Sequence, residues 1–185
     1  MRKLAGVLVA VALVVPAGIM AAAPAGAAGG TKCKGGSSTA TFSPPLTPAA
    51  AKVQKPVRDT VKTTAGTLSG CTGGGVTGAT FTYVGVKAKA PGDTCLSLAK
   101  FSTNSVTSGV LTVKWKPTGI STIPVSFHKV KGKATSNTVT GTVKTGLFKG
   151  AKISSAFAYT FVPKTGCVTT PGAKVSVKIT ATTLK

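Results

Sequence analysis

The feature that most narrows the fold is a two-residue alternation of apolar and polar side chains, repeated along much of the chain. Leu111, Val113 and Trp115 alternate with Thr112, Lys114 and Lys116, and Ile123, Val125 and Phe127 keep the same rhythm. Successive side chains of an extended strand point to opposite faces, so this period describes strands with one buried and one wet face. Phe81 and Tyr83 oppose Thr80, Thr82 and Val84 within Ala79 to Lys89. Val139 and Val143 mark another strand over Thr138 to Lys144. Phe157, Tyr159 and Phe161 form an aromatic face, and Val175, Val177 and Ile179 close the chain. Thr39 to Phe42 and the Thr-rich Val57 to Ser69 bring the expectation to about eight strands.

Turn residues punctuate these runs. Ser43-Pro44-Pro45 ends the first strand and leads into a loop over Leu46 to Pro56. Thr72 to Gly75 and Pro117-Thr118-Gly119 join hairpins, and Pro91-Gly92-Asp93 breaks the third strand. Leu96 to Phe101 is expected to form a helical turn. The class is therefore all-β: an antiparallel β-sandwich, immunoglobulin-like or barrel-like. Two packed sheets and one curled sheet both satisfy the pattern, and strand length and turn spacing favour the sandwich.

The first 27 residues have the three-part order of a secretory signal peptide. Arg2 and Lys3 precede an apolar run from Leu4 to Val15, and Ala25-Gly26-Ala27 supplies the small residues of a cleavage site. No later stretch is apolar for long enough to span a bilayer as a helix. The expected organisation is a signal peptide over 1–27, a flexible Gly-rich segment over 28–38 and a single β-sandwich domain over 39–185. The expected location is secreted, extracellular or associated with the cell envelope.

Export changes the meaning of the cysteines. Cys33, Cys71, Cys95 and Cys167 leave no odd thiol and contain no C-x-x-C pair, a usage that describes two disulfides rather than a metal centre. Consecutive antiparallel strands alternate direction, so a cysteine at a strand end belongs to one pole of the fold. Cys33 before the first strand and Cys71 after the second share a pole, and Cys95 and Cys167 share the other. The expected pairs are Cys33 with Cys71 and Cys95 with Cys167.

The chain carries 23 Lys plus Arg against two acids, a formal charge of +21 that falls by two if Arg2 and Lys3 are removed. Asp59 and Asp93 are the only carboxylate side chains, so most lysines must face water, salt or an external anion. Arg58 is the one arginine outside the leader. A lysine surface attracts anions without the planar fork that reads phosphates or bases selectively. Lys114, Lys116, Lys174 and Lys178 lie opposite the apolar faces of their strands, and with Lys87 and Lys89 they are the candidate anion-binding residues. A purely solubilising surface is the competing reading.

Catalytic schemes can be tested by inventory. There is no glutamate, and Asp59 at a strand start and Asp93 in a turn do not suggest the paired carboxylates of a glycosidase. His128 is the only histidine, it shares a strand face with Pro124 and Ser126, and no nucleophile elbow surrounds any serine. Gly73-Gly74-Gly75 lacks the Lys-Ser/Thr ending of a phosphate loop. No metal site, cofactor or specific nucleic-acid module is expected. Trp115, between two lysines, could stack on a base or sugar, but its alternation with Leu111 and Val113 assigns it to the core.

The runs Phe42-Ser43-Pro44-Pro45-Leu46-Thr47, Thr67-Leu68-Ser69-Gly70-Cys71-Thr72-Gly73-Gly74 and Gly166-Cys167-Val168-Thr169-Thr170-Pro171 resemble those of small Thr- and Gly-rich secreted proteins of actinobacteria. The resemblance implies an exported domain and brings no catalytic residues with it. The leading expectation is a non-enzymatic secreted or envelope-associated protein that binds anionic envelope polymers or lipid headgroups through its lysines. The alternatives are a secreted hydrolase using His128 with a serine, and a cationic effector acting on membranes.

Overall fold

The computed structural model describes residues 30–48, 56–91, 95, 108–130, 136–163, 167 and 170–185. The expected signal peptide, the expected turn at Asp93 and the expected helical turn over Leu96 to Phe101 lie outside the described residues. The strands are β1 (Thr31–Leu46), β2 (Pro56–Thr72), β3 (Gly78–Pro91), β4 (Ser108–Lys116), β5 (Ile120–Lys129), β6 (Ser136–Thr142), β7 (Thr145–Gly146), β8 (Lys152–Val162) and β9 (Gly172–Leu184). Every pairing is antiparallel, and β7 is a two-residue strand held against β5.

The sheet runs in the order β4-β3-β2-β1-β9-β8-β6-β5, and β4 also pairs with β5. That last pairing closes the sheet into an up-and-down barrel. The chain thus takes the barrel-like form of the expected antiparallel fold rather than the favoured two-sheet form. Alternation reports which face of a strand is buried, and it is silent on which strand edges meet. Closure also depends on strand length: β1 and β2 have 16 and 17 residues. Long strands with bulges coil strongly, and coiling is what lets one sheet meet itself. Register shifts fall between Ser37 and Ala40 in β1 and between Thr63 and Gly66 in β2.

The start of β1 corrects one expectation. Thr31 to Ser38, expected to be loose, is hydrogen-bonded strand, paired to β2 on one side and β9 on the other. Its buried set changes parity along the way, from Thr31 and Cys33 to Ser38, Ala40 and Phe42. This switch erases the alternation that would have revealed the strand. Gly36 there serves close packing, because a Cβ on it would sit 2.1 Å from the carbonyl oxygen of Thr67.

Inward side chains form one core. Val113 and Ile123 are fully buried, and Val143, Leu184 and Leu46 are nearly so. Gly66 faces Phe81 in register, and a Cβ there would fall 2.2 Å from the Phe81 ring, so the ring covers the glycine of the neighbouring strand. Both disulfides join the expected partners: Cys33 with Cys71, directly opposite in the β1–β2 register, and Cys95 with Cys167. Disulfides of this kind are compatible with an oxidising, extracellular setting.

One end of the barrel is plugged. Trp115, near the end of β4, meets Phe148 edge to face with ring centroids 5.3 Å apart. Its Nε1–H donates to Ser121 Oγ at 2.9 Å, and the Ser121 hydroxyl in turn donates to the Leu147 carbonyl. Trp115 is 3% exposed, which places it in the core as its alternation indicates. Val76, Val143 and Leu184 fill the same end.

Candidate functional site

Two features carry chemistry, the outer wall and the barrel interior. On the wall, every lysine whose burial is described is exposed, from Lys32 near the start of β1 to Lys185. Lys114 and Lys116 project from β4, and Lys174 and Lys178 from β9. Lys87 and Lys89 lie on β3, where the backbone alone is described; Lys87 faces Asp59 in the β2–β3 register. The six candidates therefore do not form one cluster, because β2 and β1 separate β3 from β9.

Lys62 partly bridges that gap. It pairs in register with Val84 on β3 and, on its other side, with Thr41 of β1, which in turn pairs with Lys174. Lys62 and Lys174 are thus two strand spacings apart, about 10 Å across the wall. Lys178 follows four residues along β9 on the same face. Lys62 was readable from its place between buried Val61 and Thr63, but the irregular register of β2 obscured it. Lys32 and Lys34 escaped notice because their segment read as loose. Among the described residues the lysines are spread around the barrel wall rather than gathered on one strand.

His128 lies on the exposed outer face, with Nε2 3.1 Å from Thr140 Oγ1. Thr138 is its partner in register and donates to the His128 carbonyl at 3.5 Å. Its side-chain partner is thus a threonine, and no carboxylate orients the ring among the described residues. Those residues also contain no group of three or more His, Cys, Asp or Glu able to hold a metal ion, and no helix long and apolar enough to cross a membrane.

The interior holds a cavity of about 120 Å³, to which every strand of the closed barrel contributes. An eight-stranded barrel is wide enough to be filled by side chains or to hold one small ligand. This interior is filled unevenly. Phe127 on β5 makes edge-to-face contacts with Tyr83 on β3 and Phe157 on β8, at centroid separations of 5.2 and 5.7 Å. The strand order puts β1 across the barrel from β5, and there the small Ser38 and Ala40 line the space beside Phe42. No charged side chain lines the space among the described residues.

Three of its hydroxyls are engaged with the protein. The Tyr83 hydroxyl donates to the Ser108 carbonyl at 3.1 Å, and burial raises its pKa far above the usual tyrosine range. Burial also raises the Tyr159 hydroxyl. Ser155 Oγ donates to the Ala181 carbonyl at 3.1 Å and lies 2.8 Å from Thr182 Oγ1. The single Ser155 proton is already given away, so Thr182 is the donor between these two hydroxyls. Sequence reasoning missed this cavity, since its walls come from strands far apart in the chain. No family model, curated protein or solved structure matches the chain.

Proposed function

We propose that the protein works outside the cytoplasm as a non-enzymatic, envelope-associated barrel whose lysine-covered wall binds anionic polymers. The observation that supports this most is the outward placement of the described lysines in a chain of formal charge +21. Opposed charges are too few to neutralise them internally, so the field extends to whatever anionic surface lies nearby. Lysine ammoniums on flexible stems suit repeating anionic groups of variable spacing better than one shaped ligand. A wall of this kind gives attraction along its whole circumference with little selectivity.

The test is sedimentation of the disulfide-bonded protein with purified cell wall at rising salt, with anionic and neutral vesicles in parallel. Binding at low ionic strength that falls as the Debye length shrinks below about 10 Å supports the reading. Lack of binding at low salt, or binding indifferent to salt, overturns it. Permeabilisation of anionic but not neutral vesicles would move the function to a membrane-acting effector. Lys62→Gln, Lys174→Gln and Lys178→Gln combined should lower the salt concentration at which half the protein is released.

A further inference from the structure

The outer wall accounts for the lysines and leaves the interior unexplained. A barrel that served only as a scaffold for surface charge would gain by filling its core, because each unfilled methylene-sized space loses dispersion contacts and stability. Here the space is about 120 Å³ and its lining is almost wholly apolar. A dry apolar cavity of about 150 Å³ is known to admit benzene, so this volume sets the ligand at about the size of a single six-membered ring.

Three properties of the walls narrow the chemistry. Charge is disfavoured, because among the described residues no ionised side chain lines the cavity to offset the desolvation of an ion. Aromatic character is favoured, because Tyr83, Phe127 and Phe157 already form a run of edge-to-face rings along one side. A further ring can extend that run at the same kind of spacing. Hydrogen-bond donors on the ligand are tolerated: Tyr83, Ser155 and Thr182 are among the lining residues and their hydroxyls direct their protons to protein acceptors, so toward a ligand these oxygens act as acceptors.

We propose that the barrel interior is a binding site for a neutral single-ring aromatic molecule, unsubstituted or carrying one hydroxyl. The recognition rests on shape, dispersion and ring-edge contacts. With six or seven non-hydrogen atoms, such a ligand binds no tighter than about tens of nanomolar. The proposal is independent of the lysine wall, and neither stands or falls with the other.

The experiment is a methyl NMR titration of the disulfide-bonded protein with benzene, phenol, cyclohexane and benzoate. Val125, Val139, Val175 and Val177 line the cavity, whereas Val84, Val110 and Val162 are exposed at 42%, 46% and 49%. Benzene and phenol should give saturable shifts at the first group and leave the second unmoved. Ala40→Leu, which places extra methyl groups in the space opposite β5, should weaken benzene binding at least tenfold. If that variant fails to fold, the contrast between inward and outward valines in the unaltered protein decides the matter. The proposal is overturned if inward methyls show no saturable shift near the solubility limit of benzene, or if outward valines shift equally. It is also overturned if cyclohexane binds more tightly than benzene, or if benzoate binds as well as benzene.

Discussion

Removing the Ser121 hydroxyl tests how the plugged end is held. Ser121 is fully buried, and its Oγ both accepts from Trp115 Nε1 and donates to the Leu147 carbonyl. Ser121→Ala leaves the indole N–H without its acceptor at a site 3% exposed. An unmade buried donor costs about 1–3 kcal/mol, and loss of the bond to the carbonyl adds about 1 kcal/mol. The sum is about 2–4 kcal/mol, which for a chain of this size lowers Tm by about 4–16 °C. Trp115→Phe removes the donor itself, so in that background Ser121→Ala should cost only about 1 kcal/mol. A double-mutant cycle from urea denaturation should then give a coupling of about 1–3 kcal/mol. A Ser121→Ala loss below about 0.5 kcal/mol, or strict additivity of the two substitutions, would refute the role given to this hydroxyl.

Other outcomes follow from burial and linkage. Because burial raises the Tyr83 hydroxyl, the unfolded chain releases that proton first as pH climbs. The stability held below about pH 10 should therefore fall above it, by about 1.4 kcal/mol per pH unit for this one group. Tyr83→Phe should flatten that alkaline limb in denaturation measured from pH 9 to 12, and an unchanged slope would count against the assignment. The disulfides close loops with separations of 38 and 72 residues, so replacing either pair by alanine should cost about 4 kcal/mol by chemical denaturation. A loss under about 1 kcal/mol would contradict the chain-entropy account. Val113→Ala, at a site with no exposure, should cost about 2–3 kcal/mol, whereas Val110→Ala on the same strand, 46% exposed, should cost less than about 0.5 kcal/mol.

The parts of this fold that could be read from sequence are those governed by local period. The strand through Leu111, Val113 and Trp115 is regular, and its faces are as the alternation indicates. The disulfide partners were accessible too, since strand parity is a counting argument that survives errors of several residues in strand limits. The start of β1 was hidden because its bulge reverses the inward parity and its glycines mimic a loose segment. Barrel closure was hidden because it depends on the first strand, β1, meeting the last, β9, edge to edge after a full circuit, a property of accumulated twist rather than of any window of residues. The candidate site divides the same way. Outward lysines on regular strands were legible. The cavity was not, because Ala40, Tyr83, Phe127 and Phe157 belong to four strands and become neighbours only when the sheet has closed.

Closure also removes a hazard built into the composition. Threonine- and valine-rich strands of this length would, in an open sheet, offer unpaired backbone donors and acceptors to any similar chain nearby. In the barrel each long strand has a neighbour on both sides, so that template does not exist in the native state. Separating any one pair of strands would uncover two edges at once. For this molecule, loss of the barrel and exposure to strand-by-strand aggregation are a single event, restrained by the net positive charge that keeps copies apart.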